Sequence, residues 1–156
     1  SRIPGNDIDR FSEEERTHRA YINWTPTKSS ALSASYLYDR YTTDRTRNVA
    51  VTRLRNHEVT MQAAYFAESG IRAKLRGTFI DQEANRFAVT GEDRFFTIDA
   101  QVGYALPKRL GFAQITVKNL FDRSFTFQDR NFQTNEPRDL RFTPEREIRI
   151  EFSTQF

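Results

Sequence analysis

Apolar and polar residues alternate with a period of two through most of this chain. In the last stretch Ile148, Ile150, Phe152 and Phe156 fall on one face of an extended strand, and Arg149, Glu151, Ser153 and Gln155 on the other. Such alternation marks a β-strand with one dry and one wet face. The same pattern predicts a strand from Thr17, with Ala20, Ile22 and Trp24 set against Arg19, Tyr21 and Asn23 and a break at Thr25-Pro26-Thr27-Lys28. Leu32, Ala34, Tyr36 and Tyr38 define a second strand, and Val59, Met61, Ala63 and Tyr65 a third. Ile71, Ala73, Leu75 and Phe79 define a fourth, Phe96, Ile98, Ala100, Val102 and Tyr104 a fifth, and Ala113, Ile115 and Val117 a sixth. The prediction is an all-β chain of about seven strands, roughly 8–12 residues each, joined as an antiparallel up-and-down meander. Residues 1–16 combine Pro, Gly, Asn and a charge cluster without periodicity and read as a loop.

Two regularities go beyond a generic β domain. The connections alternate between short ones (after Trp24, Tyr65 and Tyr104) and long polar ones (Tyr41 to Thr52, Asp81 to Asp93, Phe121 to Thr143). Aromatic residues gather at the ends of the apolar faces: Trp24, Tyr65, Tyr104 and Phe156 beside the short turns, Tyr38 and Phe79 at the other end. Membrane β-barrels have short turns at one rim, long loops at the other and aromatic girdles at both interfaces. The strand lengths also match the ~9–11 tilted residues that cross a bilayer. The wet faces carry Arg72, Lys74, Arg76, Glu58, Asp99, Lys118, Arg149 and Glu151, which suit a hydrated lumen and not lipid. About seven strands cannot close around such side chains, and an open edge within a bilayer leaves backbone groups unpaired. The expectation is therefore a section of a larger transmembrane barrel, or a chain that assembles with others.

Composition narrows this reading without replacing it. The chain has 156 residues, no Cys, and a formal net charge of +3 from 24 basic and 21 acidic residues, too balanced to favour nucleic acid as a partner. Without Cys there is neither a disulfide framework nor a thiolate metal site. Of the 24 basic residues only Lys28, Lys74, Lys108 and Lys118 are lysine, and the other 20 are arginine. That skew suits ionic networks and phosphate-rich surfaces, because the guanidinium fork pairs bidentately with carboxylate and phosphate. A mean hydropathy of -0.74 looks soluble, but it averages both faces of every strand and a wet-lumen barrel also scores as polar. No apolar run is long enough for a transmembrane helix. The sequence opens at Ser1 without a signal-peptide pattern, as expected of a processed chain or an internal fragment.

The segment Ile115 to Arg123 (ITVKNLFDR), a long loop, then Pro144-Glu145-Arg146 and a Phe-terminated strand together resemble the C-terminal end of TonB-dependent outer-membrane receptors. In that family an Asn-Leu-Phe-Asp element closes the penultimate strand, here Asn119, Leu120, Phe121 and Asp122. The final Phe serves there as the barrel-assembly signal, which the resemblance carries onto Phe156 together with Ile148, Ile150 and Phe152. The approach reads Pro-Glu-Arg where Pro-Gly-Arg is commoner, and these residues include neither a plug domain nor a TonB box. The resemblance is strongest over roughly the last third of the chain. It implies residues 1–156 as the C-terminal part of a ~22-stranded plugged barrel, in the outer membrane of a Gram-negative bacterium. The function implied is energy-coupled uptake of a scarce ligand such as a metal chelate, cobalamin or an oligosaccharide. Implied partners are the lipid bilayer and lipopolysaccharide, the barrel-assembly machinery, and a TonB-type energy-coupling protein reached through the missing N-terminal part.

Among individual residues, Trp24, Tyr38, Tyr65 and Tyr104 are candidate membrane-interface aromatics. Arg72, Lys74, Arg76, Asp99, Lys118, Arg149 and Glu151 are candidates for the lumen side, and the first three form a basic ladder better suited to an ion-pair network than to a ligand site. Asn119 and Asp122 suit a strand exit because their side chains bond nearby backbone, with Leu120 and Phe121 anchoring the loop base. His18 and His57 lack a carboxylate constellation and read as ordinary loop-base residues. Phe125, Phe127 and Phe132 interleave with Arg123, Arg130 and Arg138, so this loop either packs on itself or meets lipid phosphates. No nucleophile elbow and no phosphate-cradling Gly loop is present, so no enzyme and no cofactor are expected. Two other functions fit the same pattern: a plug-less channel or secretion pore, and a soluble β-sheet binding module.

Overall fold

A computed structural model describes residues 12–44, 52–86, 89–107, 110–125 and 146–154. Seven strands follow in chain order: β1 (Glu13–Thr27), β2 (Ser30–Thr43), β3 (Arg53–Phe66), β4 (Ile71–Arg86), β5 (Val89–Ala105), β6 (Gly111–Lys118) and β7 (Glu147–Thr154). They form one open sheet in the order β1-β2-β3-β4-β5-β6-β7, each antiparallel to the next. Among the described residues no helix is long and apolar enough to cross a membrane, which says nothing about strands.

Register brings the apolar residues of every strand to the same side. Ile22 stands opposite Ala34, Ala34 opposite Met61, Met61 opposite Gly77, and Gly77 opposite Ile98. On β5 to β7 the series continues through Val102, Ile115 and Ile150. Because side chains alternate with period two, a slip of one residue anywhere would break this face. Gly77 leaves room on it for the Phe96 ring, which would lie 3.1 Å from any Cβ placed there.

Tight turns close β1–β2, β3–β4 and β5–β6 at one end of the sheet, as the short connections predict. In the second, Gly70 holds φ at +93°, its N–H donates to the Ala67 carbonyl (3.0 Å) and its carbonyl accepts from Ala105 (2.9 Å). A Cβ there would press on the Ala105 carbonyl at 2.9 Å, so the position requires glycine.

The other end departs from expectation. The stretch Asp81 to Asp93, predicted as a long polar loop, is mostly strand, since β4 runs to Arg86 and β5 starts at Val89. Pairing continues there through Asp81 opposite Arg94 and Glu83 opposite Glu92. Likewise β2 continues to Thr43, β3 starts at Arg53, and β1 starts at Glu13 although residues 1–16 read as loop. Ladder bonds from Thr43 to Thr52 (2.9 Å) and from Thr52 to Asn85 (3.0 Å) hold these extensions. Of the three long connections, the second is thus reduced to residues 87–88.

The buried apolar residues belong to this extended end. Tyr41 and Leu54 pack with Ala84. Leu37, Ile80 and Phe95 are also buried, and Phe125 stacks on Phe95 with ring centroids 3.9 Å apart. All of these strand residues lie on the side of the sheet opposite the long apolar face.

Candidate functional site

The most conspicuous feature is the apolar face itself, because nothing among the described residues covers it. Met61 is 63 % exposed, Ile22 66 %, Val102 57 % and Phe152 77 %. The apolar face crosses all seven strands, whereas a soluble monomer ordinarily presents no contiguous apolar patch larger than about a few hundred Å². Trp24, Tyr65 and Tyr104 stand at its turn-proximal edge and Tyr38 at the opposite edge. Along β4 the face runs from Ile71 to Phe79, close to the ~9–11 residues that a tilted strand needs to span a bilayer.

Ile148, Ile150 and Phe152 complete this face on β7, opposite Val117, Ile115 and Ala113. Phe156 lies outside the described residues, as do Phe127, Arg130, Phe132 and Arg138 of the long loop.

The candidate lumen residues all occupy the other side. Arg72, Lys74 and Arg76 are exposed on β4, with Arg76 opposite Asp99. The ion-pair network expected for this basic ladder is not formed among the described residues, and Asp99, the carboxylate directly opposite Arg76, is engaged elsewhere. Asp99 accepts the Asn119 N–H at 3.0 Å. On β6 and β7, Lys118 pairs with Glu147 at 3.0 Å and Arg149 with the same carboxylate at 2.7 Å. Gln101 donates to Gln114 at 2.5 Å, and Gln114 donates to Glu151. The result is a wet surface with paired charges at one margin and, in its middle, three cations without an ion pair among the described residues.

The Asn-Leu-Phe-Asp element forms a turn locked by its own side chains. Asn119 and Asp122 have φ of +47° and +52°, a region that Asn and Asp tolerate better than most residues. Asn119 is buried and clamps Arg123 from both sides: its amide donates to the Arg123 carbonyl (2.9 Å), and its carbonyl accepts the Arg123 N–H (3.0 Å). Leu120 donates to the Ile98 carbonyl at 2.7 Å, fastening the turn to β5. Asp122 accepts the Arg146 N–H at 2.9 Å and meets its guanidinium at 3.4 Å, so both ends of the long loop are tied together. These bonds, the backbone one foremost, hold the Asp122 carboxyl below its ordinary value. Phe121 does not anchor the loop base as expected; it is 63 % exposed.

His18 and His57 lie within strands, beyond the apolar face, and not in loops. Tyr38 separates them, with ring centroids 5.8 Å from His18 and 4.8 Å from His57. Tyr36 and His57 share a 2.8 Å hydrogen bond between hydroxyl and Nδ1. No group of three or more His, Cys, Asp or Glu side chains is placed to hold a metal among the described residues.

Two features escaped the sequence reading. The first is the small core beyond the apolar face, whose signal lies in adjacent apolar residues (Phe79-Ile80, Phe95-Phe96 and Tyr36-Leu37-Tyr38), where the apolar side of the strand changes. The second is a row of arginines on neighbouring strands, invisible without the register. No protein-family model, curated protein or solved structure matches this chain.

Proposed function

We propose that this chain is part of the wall of an outer-membrane β-barrel of the TonB-dependent receptor type. In this reading the barrel takes up a scarce ligand (a metal chelate, cobalamin or an oligosaccharide), driven by an energy-coupling partner. The observation that carries the proposal is the uncovered apolar face, bordered by aromatics and backed by a charged surface. In water such a face is a liability; against lipid it is the stable outside of a barrel. The locked Asn119–Asp122 turn, leading through Arg146 into β7, supports the receptor type in particular. The residues here would supply wall, loops and assembly signal, and the gating chemistry would belong to a plug upstream.

A plug-less pore is the second reading, and Arg72, Lys74 and Arg76, which have no ion pair among the described residues, favour it to the extent that they suit a water-filled lumen. The deciding experiment is the intact mass and N-terminal sequence of the native polypeptide recovered from a membrane fraction. The expected result is a detergent-dependent chain several times longer, opening with a plug-like domain and nearly silent in planar bilayers. Steady ion conductance would favour the pore. Solubility without detergent would overturn both in favour of a soluble β-sheet module.

A further inference from the structure

Beyond the apolar face, on the same side of the sheet, β1 to β3 carry an arrangement that works against the sheet's own stability. Arg16 stands directly opposite Arg40, and Arg40 directly opposite Arg55. Side chains so placed have Cβ atoms ~5 Å apart, and like charges there repel. Carboxylates relieve the two outer members, as Arg16 pairs with Glu14 and Arg55 with Glu83 at 2.7 Å. Arg40, in the middle, is exposed and has no ion pair among the described residues. Neither has Arg53, exposed on the same face beside Arg55 and opposite Thr42.

The position of this row matters as much as its charge. Tyr38, an amphipathic ring suited to the boundary of an apolar phase, lies one step nearer the apolar face. Farther in, that face opens into a groove of about 490 Å³ whose floor includes Ala34, Ala63 and Gly77. Ala34 and Arg40 are on one strand, six residues and therefore about 20 Å apart. On a strand tilted ~40° this is about 15 Å along the membrane normal, half of a ~30 Å hydrocarbon core. Cations at the headgroup level and an apolar groove near the midplane are what a single anionic lipid would fill.

We infer that this side of β1–β3 is a binding site for an anionic membrane lipid. Arg40, with Arg53 and Arg55, receives its phosphate-bearing headgroup, and an acyl chain lies in the groove over Ala34 and Ala63. The guanidinium fork matches phosphate oxygens bidentately, and the bound anion relieves the repulsion along the arginine row. The site rests on the membrane reading proposed above.

The test uses the intact native polypeptide in detergent, with native mass spectrometry of bound phosphatidylglycerol and phosphatidylcholine of matched chains. The expected preference for phosphatidylglycerol is about ten-fold or more, and the double variant Arg40→Gln, Arg53→Gln reduces it to within about two-fold. Phosphatidylcholine binding stays unchanged in that variant. The control pair Arg72→Gln, Lys74→Gln, on the opposite side of the sheet, keeps the full preference. A detergent-dependent wild-type protein with no preference overturns the lipid site alone, as does equal loss in the control pair. A polypeptide that stays soluble without detergent overturns the membrane reading and this site with it.

Discussion

The two ends of the sheet are made of the same strands but solve opposite problems. From the tight turns to about Phe79 on β4, apolar side chains lie on one side and are exposed, while the other side is charged. Beyond Phe79 the apolar side changes: Leu37, Tyr41, Leu54, Ile80, Ala84 and Phe95 all lie on what was the charged side, and all but Ala84 are buried. The former apolar side carries ion pairs instead, Arg55 with Glu83 at 2.7 Å and Arg94 with Asp81 at 2.9 Å. One end therefore satisfies its apolar residues from within the chain. The other leaves them exposed among the described residues. A single strand crosses between the two regimes without a break in its hydrogen-bond ladder.

The contrast is broken most directly by a charge in the middle of the uncovered face. If the face meets lipid as proposed, Met61→Arg should destabilise the parent protein refolded in lipid vesicles by about 2–4 kcal/mol, while Gln62→Arg, one residue along and on the wet side, should cost at most about 1 kcal/mol, from repulsion by Arg76 directly opposite. Equal effects in a denaturant titration would remove the distinction between the two sides.

A smaller and local effect is expected at the other end. Leu54→Ala empties the centre of the small core and should cost about 2–3 kcal/mol, the low end for a buried leucine because the cluster is small. Hydrogen exchange should lose protection near Tyr41 and Ala84 and keep it at Ala73 and Ala100. Loss spread evenly along the strands would mean that the two regimes fold as one unit.

The smallest effect concerns the loop tie. Hydrogen bonds from Arg146, first to its backbone and then to its guanidinium, lower the Asp122 pKa from the ordinary 3.8. A carboxyl lowered in the folded state contributes stability that is complete above the unfolded value and is lost as pH falls through the folded one. Protection of the Arg146 amide, corrected for the intrinsic exchange rate, should therefore be level from neutral pH down to about 3.8 and decline only below it. A decline already at pH 5 would show that the tie owes nothing to the charge on Asp122.

How far the sequence discloses this structure depends on which regime a residue belongs to. Ile71, Ala73, Leu75 and Phe79 alternate cleanly with Arg72, Lys74 and Arg76, so the strand and its two sides are legible there. From Asp81 to Asn85 polar residues fall on both sides and the lone apolar Ala84 lies on the side opposite to Leu75, so a period-two reading finds only loop. The Asn119–Asp122 turn is legible in kind, since Asn and Asp suit a strand exit, but the clamp on Arg123 is set by geometry that no spacing announces. Phe121 misleads because an aromatic residue is ordinarily covered. Arg16, Arg40 and Arg55 come together only through the pairing of three strands, and their repulsion has no trace in the order of residues.

The sheet's strand count also has an arithmetic consequence. With seven antiparallel strands, β1 and β7 run in the same direction: Glu13 and Glu147 begin at one end, and Thr27 and Thr154 finish at the other. The two rims are therefore not complements of each other. Laid head to tail, β7 of one copy would meet β1 of the next as a parallel pair, with slanted and weaker bonds. Rings built from identical copies would interrupt the alternation at every joint. A closed, wholly antiparallel wall containing this sheet must take an odd number of further strands between its rims, so that the total is even. Whatever completes such a wall thus brings an odd number of strands of its own.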